Sequence, residues 1–270
     1  MSDINTQTNI YGNIEKYIQI GCVYGNVYFQ KDKVFPQVLT AYPKPSLSNI
    51  INREEELVEF HEIFKNKNFI SITGFGGIGK TTFAGLYREK YINEYEHLVW
   101  INCISNEKVD DPNYSIAKYF YDQQLRDNLG VIFENPTIDS NFYNEALGII
   151  INRLNEIKNN SLLVIDNANY EIDQNDIYNR LSALNSNWKI LITTRENLSL
   201  HFQMYELNFL LLEQARELFY LYYKREHNNA LVDEIVQIVG LHTLTIELLA
   251  KTVQANRSLN LESLKELLSS

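Results

Sequence analysis

The chain has 270 residues, 45% hydrophobic and 21% charged, the composition of a globular protein long enough to bury a sizeable core. Its formal charge of −10 excludes a general nucleic-acid binder, which needs a basic face for phosphates, but leaves room for a local basic cleft around one triphosphate. No apolar run approaches the ~20 residues of a membrane span, and the polar start MSDINTQTNIYGN has no secretory pattern; with Cys22 and Cys103 lacking any metal or redox spacing, the expectation is free thiols in the cytoplasm and no membrane partner.

Residues 1–45 open the chain with YIQIGCVYGNVYFQ, Tyr17 to Gln30, strand chemistry interrupted by Gly21 and Gly25-Asn26. That predicts one or two hairpins. AYPKPSLSN, Ala41 to Asn49, reads as a linker. Two readings of the segment stand side by side, an irregular arm packed on the domain and an independent module.

From residue 46 to 208 short apolar runs alternate with amphipathic segments. NREEELVEFHEIFKN has helical spacing at Leu57, Phe60 and Phe64, NFISITGF is a strand, and KTTFAGLYREKYINEY is a helix. EHLVWINC is a second strand, followed by helices around Tyr114 to Leu125 and Phe142 to Ile157. SLLVID and KILITT (Lys189 to Thr194) are two further strands, and Met204 to Leu207 is a fifth candidate. Strands alternating with helices imply an α/β fold with a parallel sheet flanked by helices. After Leu207, LEQARELFYLYYKR and ALVDEIVQIVGLHTLTIELLAKTVQ carry only three- and four-residue apolar spacing, so a small helical subdomain is expected over 209–270.

GFGGIGKTT, Gly74 to Thr82, matches GxxxxGK[ST] between a strand and a helix. Gly74, Gly76, Gly77 and Gly79, with Ile78 between them, let backbone N–H groups turn inward around phosphate oxygens at a helix N-terminus. Lys80 would reach the β- and γ-phosphates, the Thr81 hydroxyl would ligate Mg²⁺, and Thr82 continues the cradle. A plain glycine-rich turn is the alternative, but the pattern arises by chance only about once per hundred chains of this length. SLLVID then delivers one acid, Asp166, to the edge of the sheet, where it would meet Mg²⁺. Asn167 stands where many nucleotide hydrolases carry a second carboxylate, and Glu107, Asp110 and Asp111 are candidates to replace it. KILITTRE ends in Thr193, Thr194 and Arg195, and an arginine there would pair with the γ-phosphate.

This ordered set resembles the STAND class of P-loop NTPases, and within it the NB-ARC type of plant resistance proteins, animal apoptosome proteins and bacterial regulators. INRE, Ile51 to Glu54, is similar to the element whose backbone meets adenine, with Asn52 in its Gly position. That implies Ile51, Asn52 and Arg53 as base contacts. LLVIDN is similar to the Walker B strand, ILITTRE to the sensor strand, and GLHTLTIELLAK, Gly240 to Lys251, to the GLPLA motif. The last implies nucleotide contacts at Leu241 and His242. The usual proline is missing, with His242-Thr243 around that spot, and residue by residue the alternative is a break between two helices at Gly240 with His242 capping or packing there. The resemblance covers roughly residues 47–268.

The resemblance implies an ATP/ADP-binding, Mg²⁺-dependent switch in signalling or antiviral defence, with Lys80, Asp166 and Arg195 serving a slow hydrolysis. It also implies winged-helix and sensor domains beyond this portion, and a homo-oligomer on activation. This portion alone is expected to be a monomer or weak dimer. Two other readings compete. An AAA+-like motor wants a second acid beside Asp166 and an arginine finger. A GTPase or small-molecule kinase remains, although the guanine-reading candidate KNKNF, Lys65 to Phe69, precedes the phosphate loop.

Overall fold

A computed structural model of the chain describes residues 14–19, 26–30, 32–44, 51, 53–103, 116–136, 138, 142–168, 174–198 and 201–269. Gly21, Cys22, Gly25, Pro45 to Asn49, Asn52, Glu107, Asp110, Asp111 and Tyr114 lie outside the described residues. In chain order the elements are β1 (Ile14–Gln19), β2 (Asn26–Gln30), α1 (Glu54–Lys65), β3 (Phe69–Thr73), α2 (Lys80–Lys90), β4 (His97–Asn102), α3 (Ile116–Phe120) and α4 (Gln123–Leu129). There follow β5 (Val131–Glu134), α5 (Phe142–Leu154), β6 (Ser161–Asp166), α6 (Gln174–Leu181), β7 (Trp188–Thr193) and β8 (Gln203–Glu206). Four helices close the chain: α7 (Leu212–Tyr222), α8 (Asn229–Ile238), α9 (Thr243–Ala255) and α10 (Leu261–Ser269).

The five strands expected from the sequence form one parallel sheet of order β4-β6-β7-β3-β8. Every residue of β6 is buried, as a central strand covered on both faces requires. The order matters for function. β7 lies between β6 and β3, so the C-terminal end of β7 emerges between the loop after β3 and Asp166 at the end of β6. Ligands of open α/β sheets collect at that carboxyl edge.

The helix expected over Tyr114 to Leu125 is instead two helices. α3 ends at Phe120 and α4 begins at Gln123, because the Asp122 carboxylate accepts from the Leu125 amide at 2.8 Å and caps a new start. The helix expected to reach Tyr95 stops at Lys90, followed by a 3₁₀ turn over Ile92–Glu94, and α5 stops at Leu154 rather than Ile157.

By Cα proximity the described residues fall into two compact units, one within Met1–Tyr42, Asn93–Ile165 and Glu171–Ile190, the other within Pro43–Ile92, Asp166–Tyr170 and Leu191–Ser270. In the first unit β1 and β2 form the expected hairpin, with Tyr17 opposite Tyr28. The sequence gives no sign of its third strand, β5, which pairs antiparallel with β2 from Asn26↔Glu134 to Phe29↔Val131. Residues 26–30 are therefore the middle strand of a three-stranded sheet. Buried Arg153 ties the sheet down, donating to the carbonyls of Leu129 (2.9 Å) and Gln30 (3.0 Å) and pairing with Glu156.

In the second unit α1 buries Leu57, Phe60, His61 and Phe64. Phe60 meets Phe83, Tyr87 and Tyr205 edge-on at centroid distances of 5.0–5.6 Å, an arrangement aromatic quadrupoles favour. Helices α7 to α10 share a second core that includes Phe219, Ile235, Ile246, Val253 and Leu264. Ile51, from the segment before α1, is buried in that same cluster.

Candidate phosphate-binding site

The loop joining β3 to α2 owes its shape to two glycines in particular. Gly79 is the N-cap of α2 at φ 103°, where an L side chain is strained, and no atom lies within 4 Å of where a Cβ would stand. Having no side chain, it cannot cap the helix. The first-turn amides of α2 are thus left to an outside acceptor, and a phosphate is the natural one. Gly77, at φ 76°, is the opposite case, since a Cβ there would come within 2.9–3.0 Å of Leu244 and His242.

Around this loop the fold collects the charged groups. Asp166 is 1% exposed. Its Oδ1 accepts from the Thr81 hydroxyl at 2.8 Å and the Thr193 hydroxyl at 2.5 Å. Thr193 Oγ1 in turn accepts from the Asn167 amide at 2.8 Å. Burial pushes the Asp166 carboxyl above the usual range, against the pull of the two hydroxyls, the Asn167 amide and Lys80. Lys80 Nζ donates to the carbonyls of Gly74 (2.7 Å) and Phe75 (2.9 Å). Burial lowers its ammonium pKa, as does the nearby Arg195, while Asp166 opposes. The exposed Arg195 lays its guanidinium against the loop, with Cζ 3.2 Å from where a Gly76 Cβ would stand.

Two cations, one buried carboxylate, two hydroxyls already on that carboxylate and an uncapped helix N-terminus make a set of groups that fits a polyphosphate with a divalent cation. Lys80, Thr81, Asp166, Thr193 and Arg195 are brought together, as the sequence pattern anticipates.

Beside the loop lies a cavity of about 390 Å³. Ile51, Arg53, Ile78, Gly79 and Thr82 line one part of it, all expected at the site. Arg53 also serves the fold: it is buried, pairs with Glu56 at 2.9 Å and donates to the Asn208 carbonyl at 3.2 Å. The rest of the lining includes Leu210, Leu218, Tyr222, Glu247 and Lys251, which were not singled out by sequence reading, and Thr243. A signal for them exists in the four-residue spacing of Thr243, Glu247 and Lys251, one face of α9. Leu241 and His242 do not line the cavity. Leu241, left-handed at φ 58°, packs on the helical core. His242 caps α9 and turns to the loop, its Nε2 lying 2.7 Å from the Gly76 carbonyl.

Asn167 also has a left-handed backbone, at φ 61°. Asn is among the few non-glycine residues that occupy that region readily. Its identity thus has a conformational reason besides any chemical one.

The profile of the NB-ARC domain family matches residues 52–227. Among solved structures, the chain is similar to a signal transduction ATPase with numerous domains (STAND) with a tetratricopeptide repeat sensor, from Pyrococcus horikoshii. Identity is 20% and the TM-score 0.52 over 83% of this chain, which spans about a third (33%) of that one. That likeness is one of fold. The closed-state reconstruction of Hsp104 with ATPγS and FITC-casein matches at 10% identity and TM-score 0.46, covering 82% of this chain and 43% of the other. No curated protein matches by sequence. Among the described residues no helix is long and apolar enough to cross a membrane.

Proposed function

The chain belongs to the NB-ARC domain family, and from that premise we propose that it is the ATP/ADP-binding switch portion of a STAND-type signalling or defence regulator, hydrolysing ATP slowly. Its parts are a nucleotide-binding domain over 46–208 and a helical subdomain over 209–270. The observation that carries the reading is the convergence of Lys80, Thr81, Asp166 and Arg195 on one glycine loop at an uncapped helix N-terminus.

On this reading the loop amides and Lys80 hold the phosphates, and Lys80 gives up the Gly74 and Phe75 carbonyls to do so. Thr81 and Asp166 hold Mg²⁺, whose chemistry is to neutralise charge on the phosphates. Thr193 keeps Asp166 aimed by its hydroxyl hydrogen bond. Arg195 flanks the loop where charge on the terminal phosphate would be met. The cavity lined by Ile51, Leu210 and Tyr222 receives the base, mostly through apolar contact. Asn167 carries no charge and takes no proton at neutral pH, so water activation is weak and the loaded state persists. That suits a switch and not a motor.

The regulator is cytoplasmic, carries a sensor, as the Pyrococcus protein does, and assembles with copies of itself when the sensor is engaged. The deciding experiment is mass spectrometry of the nucleotide released on denaturing the purified protein. ADP or ATP is expected. A guanine nucleotide, or no nucleotide together with no thermal stabilisation by ATP·Mg²⁺, overturns the reading.

A further inference from the structure

The carbonyls of the phosphate loop, taken in order, each have a donor. Lys80 Nζ donates to Gly74 and Phe75. The next three are held from the other side by three consecutive residues at the start of α9. His242 Nε2 is 2.7 Å from the Gly76 oxygen, the Leu244 amide donates to Gly77 at 3.2 Å, and the Thr243 hydroxyl donates to Ile78 at 3.1 Å. The tautomer of His242 follows from the carbonyl it meets. The Gly76 carbonyl can only accept, so the proton sits on Nε2, and the neutral ring's Nδ1 accepts from the Thr245 amide (3.3 Å, the N-cap bond of α9) and the Thr245 hydroxyl (2.9 Å). One imidazole therefore does two jobs, capping its own helix and holding the loop.

A phosphate loop binds anions with its amides facing in, which requires its carbonyls to face out. Outward carbonyls need donors. Lys80 cannot serve two masters, because its ammonium leaves Gly74 and Phe75 when it engages a phosphate. The α9 donors have no such conflict.

We propose that residues 242–244 are a clamp that holds the phosphate loop open for its ligand, with His242 as the positioning residue. The inference rests on the nucleotide-binding reading above, and it adds that phosphate affinity depends on a residue that touches neither phosphate nor base. It also gives the helical subdomain a direct grip on the loop: a shift of α9 changes the donors of Gly76, Gly77 and Ile78 together.

Two substitutions separate the two jobs of the imidazole. An Asn amide reaches about as far as Nδ1, and a Gln amide about as far as Nε2. His242→Asn keeps a good N-cap and loses the Gly76 contact. His242→Gln keeps a donor for Gly76 and loses the cap. The full chain is measured in both forms by urea unfolding, by amide hydrogen exchange of the peptide spanning 74–82, and by binding of ATP·Mg²⁺. The Asn variant should show faster loop exchange and roughly two- to tenfold weaker ATP binding at near-parental stability, the size of one lost hydrogen bond. The Gln variant should be the less stable of the two, with parental loop exchange and parental affinity.

Parental loop exchange in the Asn variant overturns the clamp whatever happens to nucleotide. Faster exchange with unchanged affinity overturns the positioning role. Affinity that merely follows stability across both variants makes His242 an ordinary cap. If the parent itself binds no ATP, the proposed function falls, while the exchange measurement still decides the clamp.

Discussion

The Thr81 hydroxyl donates to Asp166 Oδ1 at 2.8 Å across the end of the sheet, joining the first turn of α2 to the tip of β6. Each residue would reach Mg²⁺, and each is already oriented by the other. Thr193 adds a second hydroxyl to the same oxygen, so the carboxylate is held on its strand before any ligand arrives. Such preorganisation has a stability consequence. Asp166 is buried, and burial raises its folded pKa above its unfolded value near 3.9. A raised acid favours the fold only below the unfolded pKa, and that contribution is lost as pH climbs through the folded pKa. At neutral pH the charge costs stability.

Asp166→Asn should accordingly stabilise the ligand-free protein at neutral pH, in the usual range of about 0.5–2 kcal/mol for relieving a functional site. The gain should shrink as pH falls through the raised folded pKa, where the parental carboxyl takes up its proton. Urea midpoints across that range test it. A variant less stable than the parent at neutral pH would show that the Thr81 and Thr193 hydrogen bonds outweigh the burial of charge. Mg²⁺-dependent stabilisation by ATP should be lost in either case.

Lys80→Ala removes an ammonium whose only described hydrogen bonds are to loop carbonyls it would release on binding. The loss in ATP affinity should be about 1.5–3 kcal/mol, roughly ten- to a hundredfold. The melting shift produced by saturating ATP·Mg²⁺ should shrink in step. A variant stabilised as strongly as the parent sinks the phosphate-site assignment.

Arg195→Ala should weaken ATP while leaving ADP nearly untouched. Its guanidinium lies over Gly76, on the flank of the loop, and is exposed enough to follow a ligand. Only a contact made with one nucleotide and not the other lets that nucleotide bias a two-state protein. Equal losses measured by calorimetry for both nucleotides would make it a general electrostatic residue.

Base choice should favour adenine. The cavity beside the loop offers Ile51, Ile78, Leu210, Leu218 and Tyr222 as an apolar wall, with Arg53, Thr82, Thr243, Glu247 and Lys251 as its polar groups. Such a wall rewards a flat apolar face and gives little to guanine's extra donors. GTP should compete with labelled ATP much more weakly than ADP does. Equal competition would point instead to Glu247, the cavity's carboxylate, pairing with guanine N–H groups.

Much of this was legible in the sequence because it depends on local patterns. The glycine loop, the strand ending in Asp166 and the strand ending in Arg195 each follow from a short run of residue types, and the parallel fold follows from their alternation. What escaped depends on distant partners. β5 is only VIFE after a helix, and it is a strand because β2 pairs with it. The split of α3 from α4 turned on one capping aspartate. His242 was readable as a cap, but its hold on Gly76 joins residues 166 positions apart, and no spacing rule reaches that far.

Asn167 has two explanations, and the last prediction separates them. Its φ of 61° favours Asn, Asp or Gly on conformational grounds alone. Asn167→Ala should therefore cost about 1–2 kcal/mol in unfolding free energy, the left-handed penalty. Asn167→Asp should fold as well as the parent, because Asp tolerates the same region and the Asn167 amide still reaches Thr193. Chemistry is where Asp differs from Asn. A carboxylate beside the metal-holding acid can orient and polarise a water, help worth ~10²–10⁴ in rate when it acts as general base. Phosphoryl transfer relies more on positioning and charge, so the gain here should be smaller. Turnover of the parent should fall well below one per minute, by analogy with unassisted GTPases at ~10⁻⁴ to 10⁻³ per second. The Asp variant should be at least several-fold faster, with ATP affinity little changed. A parent turning over at ~1 per second, or an Asp variant no faster than the parent, would leave only the backbone reason for this asparagine.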